Sequence, residues 1–157
     1  MNEKEILTAA LDAVTKSIEM WSWLYQHPRH SKADYFEYKN IADENRPICS
    51  CYLCEFVHKY STYIDIYGFE IPAYLQNSIK SDCRYCPVIW PEGHCSSLSS
   101  PYDRWSSALC AADEKQAAGG VLKLLYKTKR RLREAINFIA EDERREREKI
   151  WKHIISN

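Results

Sequence analysis

Cys51-Tyr52-Leu53-Cys54 and Cys83-Arg84-Tyr85-Cys86 are two C-x-x-C pairs separated by the 28 residues from Glu55 to Asp82. Each pair can present two thiolates to one tetrahedral ion. The intervening segment is long enough to bring the second pair back onto the first. Zinc closes structural sites with four such ligands at about 2.3 Å, so the expected metal shell is Cys51, Cys54, Cys83 and Cys86. Cys95 competes for a place in it, with Cys49, His58 and His94 behind. Cys110 lies in an apolar stretch and reads as a small buried hydrophobe.

Other chemistries of paired cysteines fit less well. A redox C-x-x-C requires a βαβ setting, which the pattern lacks. Iron–sulfur clusters group their cysteines more tightly. A zinc deaminase needs H-x-E upstream of P-C-x-x-C, whereas here Pro87 follows the second pair and no H-x-E occurs. H-E-x-x-H, G-x-S-x-G and a phosphate-cradling glycine loop are also missing. An all-thiolate zinc has no open position to activate water. The expectation is a structural metal and no enzymatic activity.

The elements that position the cysteines are helical in pattern. Leu7, Leu11, Val14, Ile18, Trp21 and Tyr25 form one seam at spacings of four and three, widened by Ile6, Ala10, Met20 and Leu24. Asn2 and Glu5 are spaced as a capping box, and Pro28 ends the segment. A second seam runs through Ala118, Val121, Leu125, Thr128, Leu132, Ala135 and Ile139, in a stretch that is helical in pattern from 111 to 155. Gly119-Gly120 within it marks a break or a close helix–helix approach. Pairing the two seams as an antiparallel hairpin buries both.

Between them, 27–50 reads as a solvated connector. Leu53, Phe56, Val57, Tyr60, Ile64 and Tyr67 share a helical face, with Gly68 placed to end it. Pro72 could open a short helix to Ile79. Residues 87–105 read as loop, held by Trp90, Tyr102 and Trp105 packing inward. The fold class is therefore mainly α, in one domain of 1–157. It comprises an N-terminal helix (1–27), an aromatic cysteine-rich zinc module (28–110) and a long C-terminal helix (111–157). Fourteen of the 20 aromatic residues lie between Tyr35 and Trp105, which demands a compact centre.

Lys and Arg total 22, as do Asp and Glu, for a net charge of zero. A dedicated nucleic-acid binder is usually more basic. The best nucleic-acid candidates are Lys127, Lys129, Arg130, Arg131 and Arg133, which also read as cations flanking the second seam. Ile150, Trp151, Ile154 and Ile155 follow a charged run and look like an oligomer or docking tip. The charged N-terminus lacks signal-peptide architecture and no apolar run nears the ~20 residues of a membrane span. A cytoplasmic protein is expected, in which seven cysteines suggest metal rather than disulfides.

An ordered string of motifs carries a resemblance. Trp21-Ser22-Trp23-Leu24 leads to Pro28, Ser31-Lys32 and Asp34-Tyr35, then to the first C-x-x-C. Cys83-x-x-Cys86-Pro87 follows, then Gly93-x-Cys95, Ser100-Pro101-Tyr102 and Trp105. Over about residues 18–135 the chain resembles a family of small, mostly uncharacterised, cysteine-rich proteins of phages and prophages. The resemblance implies that Cys51, Cys54, Cys83, Cys86 and Cys95 matter more than Cys49 and Cys110. It supplies a phage context and no mechanism. The small zinc scaffold, the absent catalytic motifs, the neutral charge and the aromatic-rich loop add the expectation of an accessory protein in the host cytoplasm, acting in host interaction or counter-defence. Such a protein would bind, inhibit or sequester a host or defence-related protein or small molecule. Nucleic-acid binding and oligomeric assembly are the rival expectations. This chain departs from the family pattern in its longer segment between the pairs and its extended charged C-terminal helix.

Overall fold

The computed structural model describes residues 2–47, 50–67 and 86–155, without the side chains of 62–67 and 151–155. Helix α1 (Glu3–Gln26) begins at the predicted capping box: Asn2 Oδ1 accepts from the Glu5 amide at 2.9 Å and Glu5 Oε2 from the Asn2 amide at 2.8 Å. Short helix α2 (Lys32–Tyr38) and a 3-10 turn (Asp43–Asn45) follow, then α3 (Tyr52–Tyr67), α4 (Pro101–Ser106) and α5 (Ala111–Ile155). Among the described residues no strand occurs, so Tyr63–Tyr67 continues a helix.

The two seams meet. Val14, Leu24, Ala118, Val121, Leu125 and Leu132 are each at most 1% exposed. The helices run antiparallel: Lys4 Nζ reaches Glu143 Oε2 at 2.9 Å at one end. At the other, Glu114 accepts from the Arg29 amide and lies 3.4 Å from its guanidinium. At 1.5 Å per residue, α5 is about 68 Å long and α1 about 36 Å, so α5 runs well past the start of α1. Its residues 141–150 are all exposed.

Helix α3 lies along another side of α1, where Tyr52, Phe56 and Tyr60 face Ala9, Ala13 and Lys16 across a shallow groove. Leu53, Phe56 and Val57 reach the core. The Gly68 helix end and the Pro72–Ile79 helix lie outside the described residues.

Two expectations are corrected. The segment 27–50 is not a plain solvated connector. Ser31 and Asp34 form a second capping box that starts α2, and Tyr35 and Phe36 are buried. His27 stacks on Trp23 at 4.4 Å, and His30 meets that ring edge-on at 5.4 Å. Likewise 87–105 is not all loop. Ser100 caps α4, its Oγ accepting from the Asp103 amide at 3.0 Å, and Pro101 holds the first turn. Trp90 is buried as expected, and Tyr102 and Trp105 pack against the core.

Gly119 and Gly120 lie inside α5 and serve close approach. A Cβ on Gly119 would meet the Tyr25 ring at 3.4 Å, an ordinary contact, whereas one on Gly120 would meet Pro101 Cβ at 3.1 Å. Opposite outcomes follow. Gly119→Ala should raise stability by about 0.5–1 kcal/mol through helix propensity, while Gly120→Ala should gain nothing or destabilise by pushing α4 off α5. Urea melts of the two variants check this; an equal gain in both would contradict the α4 contact.

Candidate metal centre

One cavity of about 460 Å³ collects the sulfurs: Cys51, Cys54, Cys86 and Cys95 all line it, walled by Trp21, Leu53, Val57, Trp90, Tyr102 and Val121. Cys51 immediately precedes α3, and its carbonyl accepts from the Glu55 amide at 3.1 Å. Its thiol is brought down to about 6, first because the Cys54 thiol donates to it. The Lys32 ammonium and the Leu53 and Cys54 amides act in the same direction against the opposing effect of burial. A sulfur at a helix N-terminus receives this help because the first amides of a helix have no partner within it. Cys54 is pushed upward, chiefly by that same hydrogen bond, so Cys54 keeps the shared proton.

Cys86 enters from the far side. Burial pushes its thiol up to about 12, opposed by hydrogen bonds from the Val88 amide and the Trp90 side chain. Cys51 and Cys86 thus each receive the amide two residues ahead, Leu53 and Val88 respectively. Such bonds orient a sulfur and stabilise its anionic form, as a metal requires. Cys95 is positioned through its backbone: its carbonyl accepts from the buried Ser100 hydroxyl, the residue that caps α4.

Helix α1 supplies the cavity's floor through Trp21. The Trp21 ring meets Trp105 edge-on at 5.0 Å and Tyr102 at 6.1 Å. Lys32, only 9% exposed, extends into the same place, with Nζ 4.5 Å from the Tyr102 ring centroid and 5.6 Å from that of Trp21.

Of the expected ligands, Cys51, Cys54 and Cys86 are brought together with their competitor Cys95. Cys83 and Cys49 lie outside the described residues. His58 lines the cavity wall, while the His94 ring pairs with Ser96 Oγ at 3.1 Å. Among the described residues no three His, Cys, Asp or Glu side chains stand close enough to hold an ion, and no cysteine is in a disulfide. The sulfurs are therefore gathered around one space without being closed on one point. The donor set fits a thiophilic ion such as zinc.

Lys32 is the site residue that ligand spacing did not reveal. Its neighbours in sequence are a helix cap, and only the rings of α1 and α4 give it a role. Cys110 is the opposite case: it is exposed, just before α5, rather than buried. The cations at 127–133 lie on both flanks of the seam, Lys127 and Arg131 on one side, Lys129 and Arg133 on the other, by helical spacing. Lys127, Arg130 and Arg133 are exposed, and Arg130 lies 3.8 Å from Glu134. At the far end Ile150 is 58% exposed; the side chains of Trp151, Ile154 and Ile155 are outside the described set.

Comparison with protein-family models, with curated proteins and with solved structures finds no match to this chain. Among the described residues no helix is long and apolar enough to cross a membrane.

The exposure contrast has a direct chemical readout. A maleimide carrying a bulky polymer should label Cys110 at least tenfold faster than any of the four cavity cysteines in the folded protein, and Cys110→Ser should leave the melting temperature unchanged. Peptide mapping by mass spectrometry gives the order of labelling. Cavity cysteines reacting as fast as Cys110 would contradict the enclosure.

Proposed function

We propose that this protein works by binding, not by catalysis, and that its binding surface is built around a structural zinc ion held by cysteine thiolates. The observation that carries this reading is the gathering of Cys51, Cys54, Cys86 and Cys95 on one cavity, two of them with amide hydrogen bonds to sulfur. Cys51, Cys54 and Cys86 are the ligands on this reading, with the fourth place taken by Cys83 or Cys95.

The zinc does no chemistry in this account. It joins the start of α3 to the 86–100 loop, where no regular hydrogen-bonded ladder could. The motifs behind the phage-type resemblance support a common role, because Trp21, Lys32, Cys51, Cys54, Cys86, Cys95 and Tyr102 all line the one cavity. The protein is then a cytoplasmic accessory protein of the phage type that inhibits or sequesters a host or defence-related protein or small molecule.

Purified protein should contain one zinc per chain by elemental analysis. Removing it with a strong chelator should lower the melting temperature by more than 10 °C, since metal binding energy becomes folding energy. Cys54→Ser should do the same and Cys110→Ser should not. Unchanged melting of a fully demetallated chain would overturn the zinc reading.

A second reading rests on the far end of α5, where Ile150 and Phe138 are 58% and 71% exposed beside a run of solvated charges. Here a second copy of the chain is the occupant. Light scattering should show a dimer for the full chain and a monomer for a chain ending at Glu148. A monomer in both cases removes this reading.

A further inference from the structure

We propose that Lys32 is a positioning residue for the metal: its buried ammonium balances the excess negative charge of the cysteine site and so sets how tightly the metal is held. This inference rests on the zinc reading and deepens it.

Four thiolates around Zn²⁺ leave a net charge of −2, and three leave −1. The cavity that holds them is walled largely by Trp21, Leu53, Val57, Trp90 and Val121, surroundings that solvate charge poorly. A net charge buried in such surroundings needs a compensating partner.

Lys32 has the location and geometry for that partner. It lines the same cavity as Cys51, Cys54, Cys86 and Cys95. Lysine is seldom this buried unless its charge is compensated, and among the described residues no carboxylate is paired with it. The side chain is guided inward by the faces of Tyr102 and Trp21, which attract a cation without neutralising it. Two aromatic rings, from α1 and α4, thereby hold the ammonium in the cavity that the sulfurs share.

The residue does not serve its own helix. Lys32 is the first residue of α2, after the Ser31 cap. A cation there faces the positive end of the helix, which disfavours it. The capping bonds of Ser31 and Asp34 do not use the Lys32 side chain. Both the burial and the helix position are explained by the cysteine cavity.

The test is cobalt(II) titration of the full chain with Lys32→Met, Lys32→Gln and Lys32→Arg beside the unaltered protein. Cobalt reports thiolate ligation through its charge-transfer and tetrahedral d–d absorption, and competition with a chromophoric chelator gives affinity. The unaltered chain should bind one cobalt. Lys32→Met and Lys32→Gln should keep the stoichiometry and band positions but bind about 10–100-fold more weakly, the range usual for residues that support metal ligands. Lys32→Arg, which keeps the charge, should stay within about threefold of the unaltered chain. Circular dichroism of each metal-free variant checks folding; if Lys32→Met does not fold, the Gln and Arg variants carry the comparison. Equal affinity in the neutral and charged variants overturns the inference while leaving the metal reading intact. An Arg variant as weak as the neutral ones also overturns it, by making cavity shape rather than charge the cause. An unaltered chain that binds no cobalt with thiolate bands sinks the metal reading and this inference with it.

Discussion

The described structure depends on the burial of one helix face against another along most of the length of α1. The apolar stripes of α1 and α5 leave water chiefly against each other, and together they form the wall on which the smaller pieces are hung. α3 uses another side of α1. α4 packs on α5 at Gly120, where the helix has no Cβ to hold Pro101 away. The cysteine cavity is then formed where α1, the start of α3, the 86–100 loop and α4 come together. It has no scaffold of its own, since its floor is Trp21 of α1 and part of its wall is Val121 of α5.

This dependence runs through specific polar links. Ser100 donates to the Cys95 carbonyl while accepting from the first turn of α4. One hydroxyl thus ties a cysteine of the loop to a helix seated on the hairpin. Cys51 is tied similarly, because the amides that open α3 also serve its sulfur. Helix formation and thiolate stabilisation are the same event at that position. A cluster of cysteine side chains is costly to assemble from a flexible chain. Here several of its sulfurs are placed by elements that the hydrophobic seams already orient.

Legibility in sequence divided along physical lines. The two long helices could be read from periodicity because each repeats its apolar spacing for several turns, and Asn2–Glu5 marked a true start. α2 and α4 escaped because helices of seven and six residues are too short for periodicity to show. Their signatures were still present as Ser31-x-x-Asp34 and Ser100-Pro101-x-Asp103. The cysteine spacing marked a shared site but could not rank Cys95 against the paired cysteines, since its approach to the cavity depends on Ser100 and α4. Lys32 was invisible for a related reason: its rings come from residues 11 positions before it and 70 after it. Cys110 misled because hydrophobic neighbours such as Leu109, itself 92% exposed, say nothing about which side of a helix start faces water.

The antiparallel pairing of α1 with α5 also has a consequence in time. Roughly 84 residues separate the end of one helix from the start of the other. At ribosomal rates of about 5–20 residues per second, α1 waits roughly 4–17 s before its main partner begins to emerge. During that interval α2 and α3 are the elements already made that touch α1, and α3 lies along another side of it than the face that meets α5. The α1 face that meets α5 is therefore uncovered for longest as the chain is made, and its burial waits on α5.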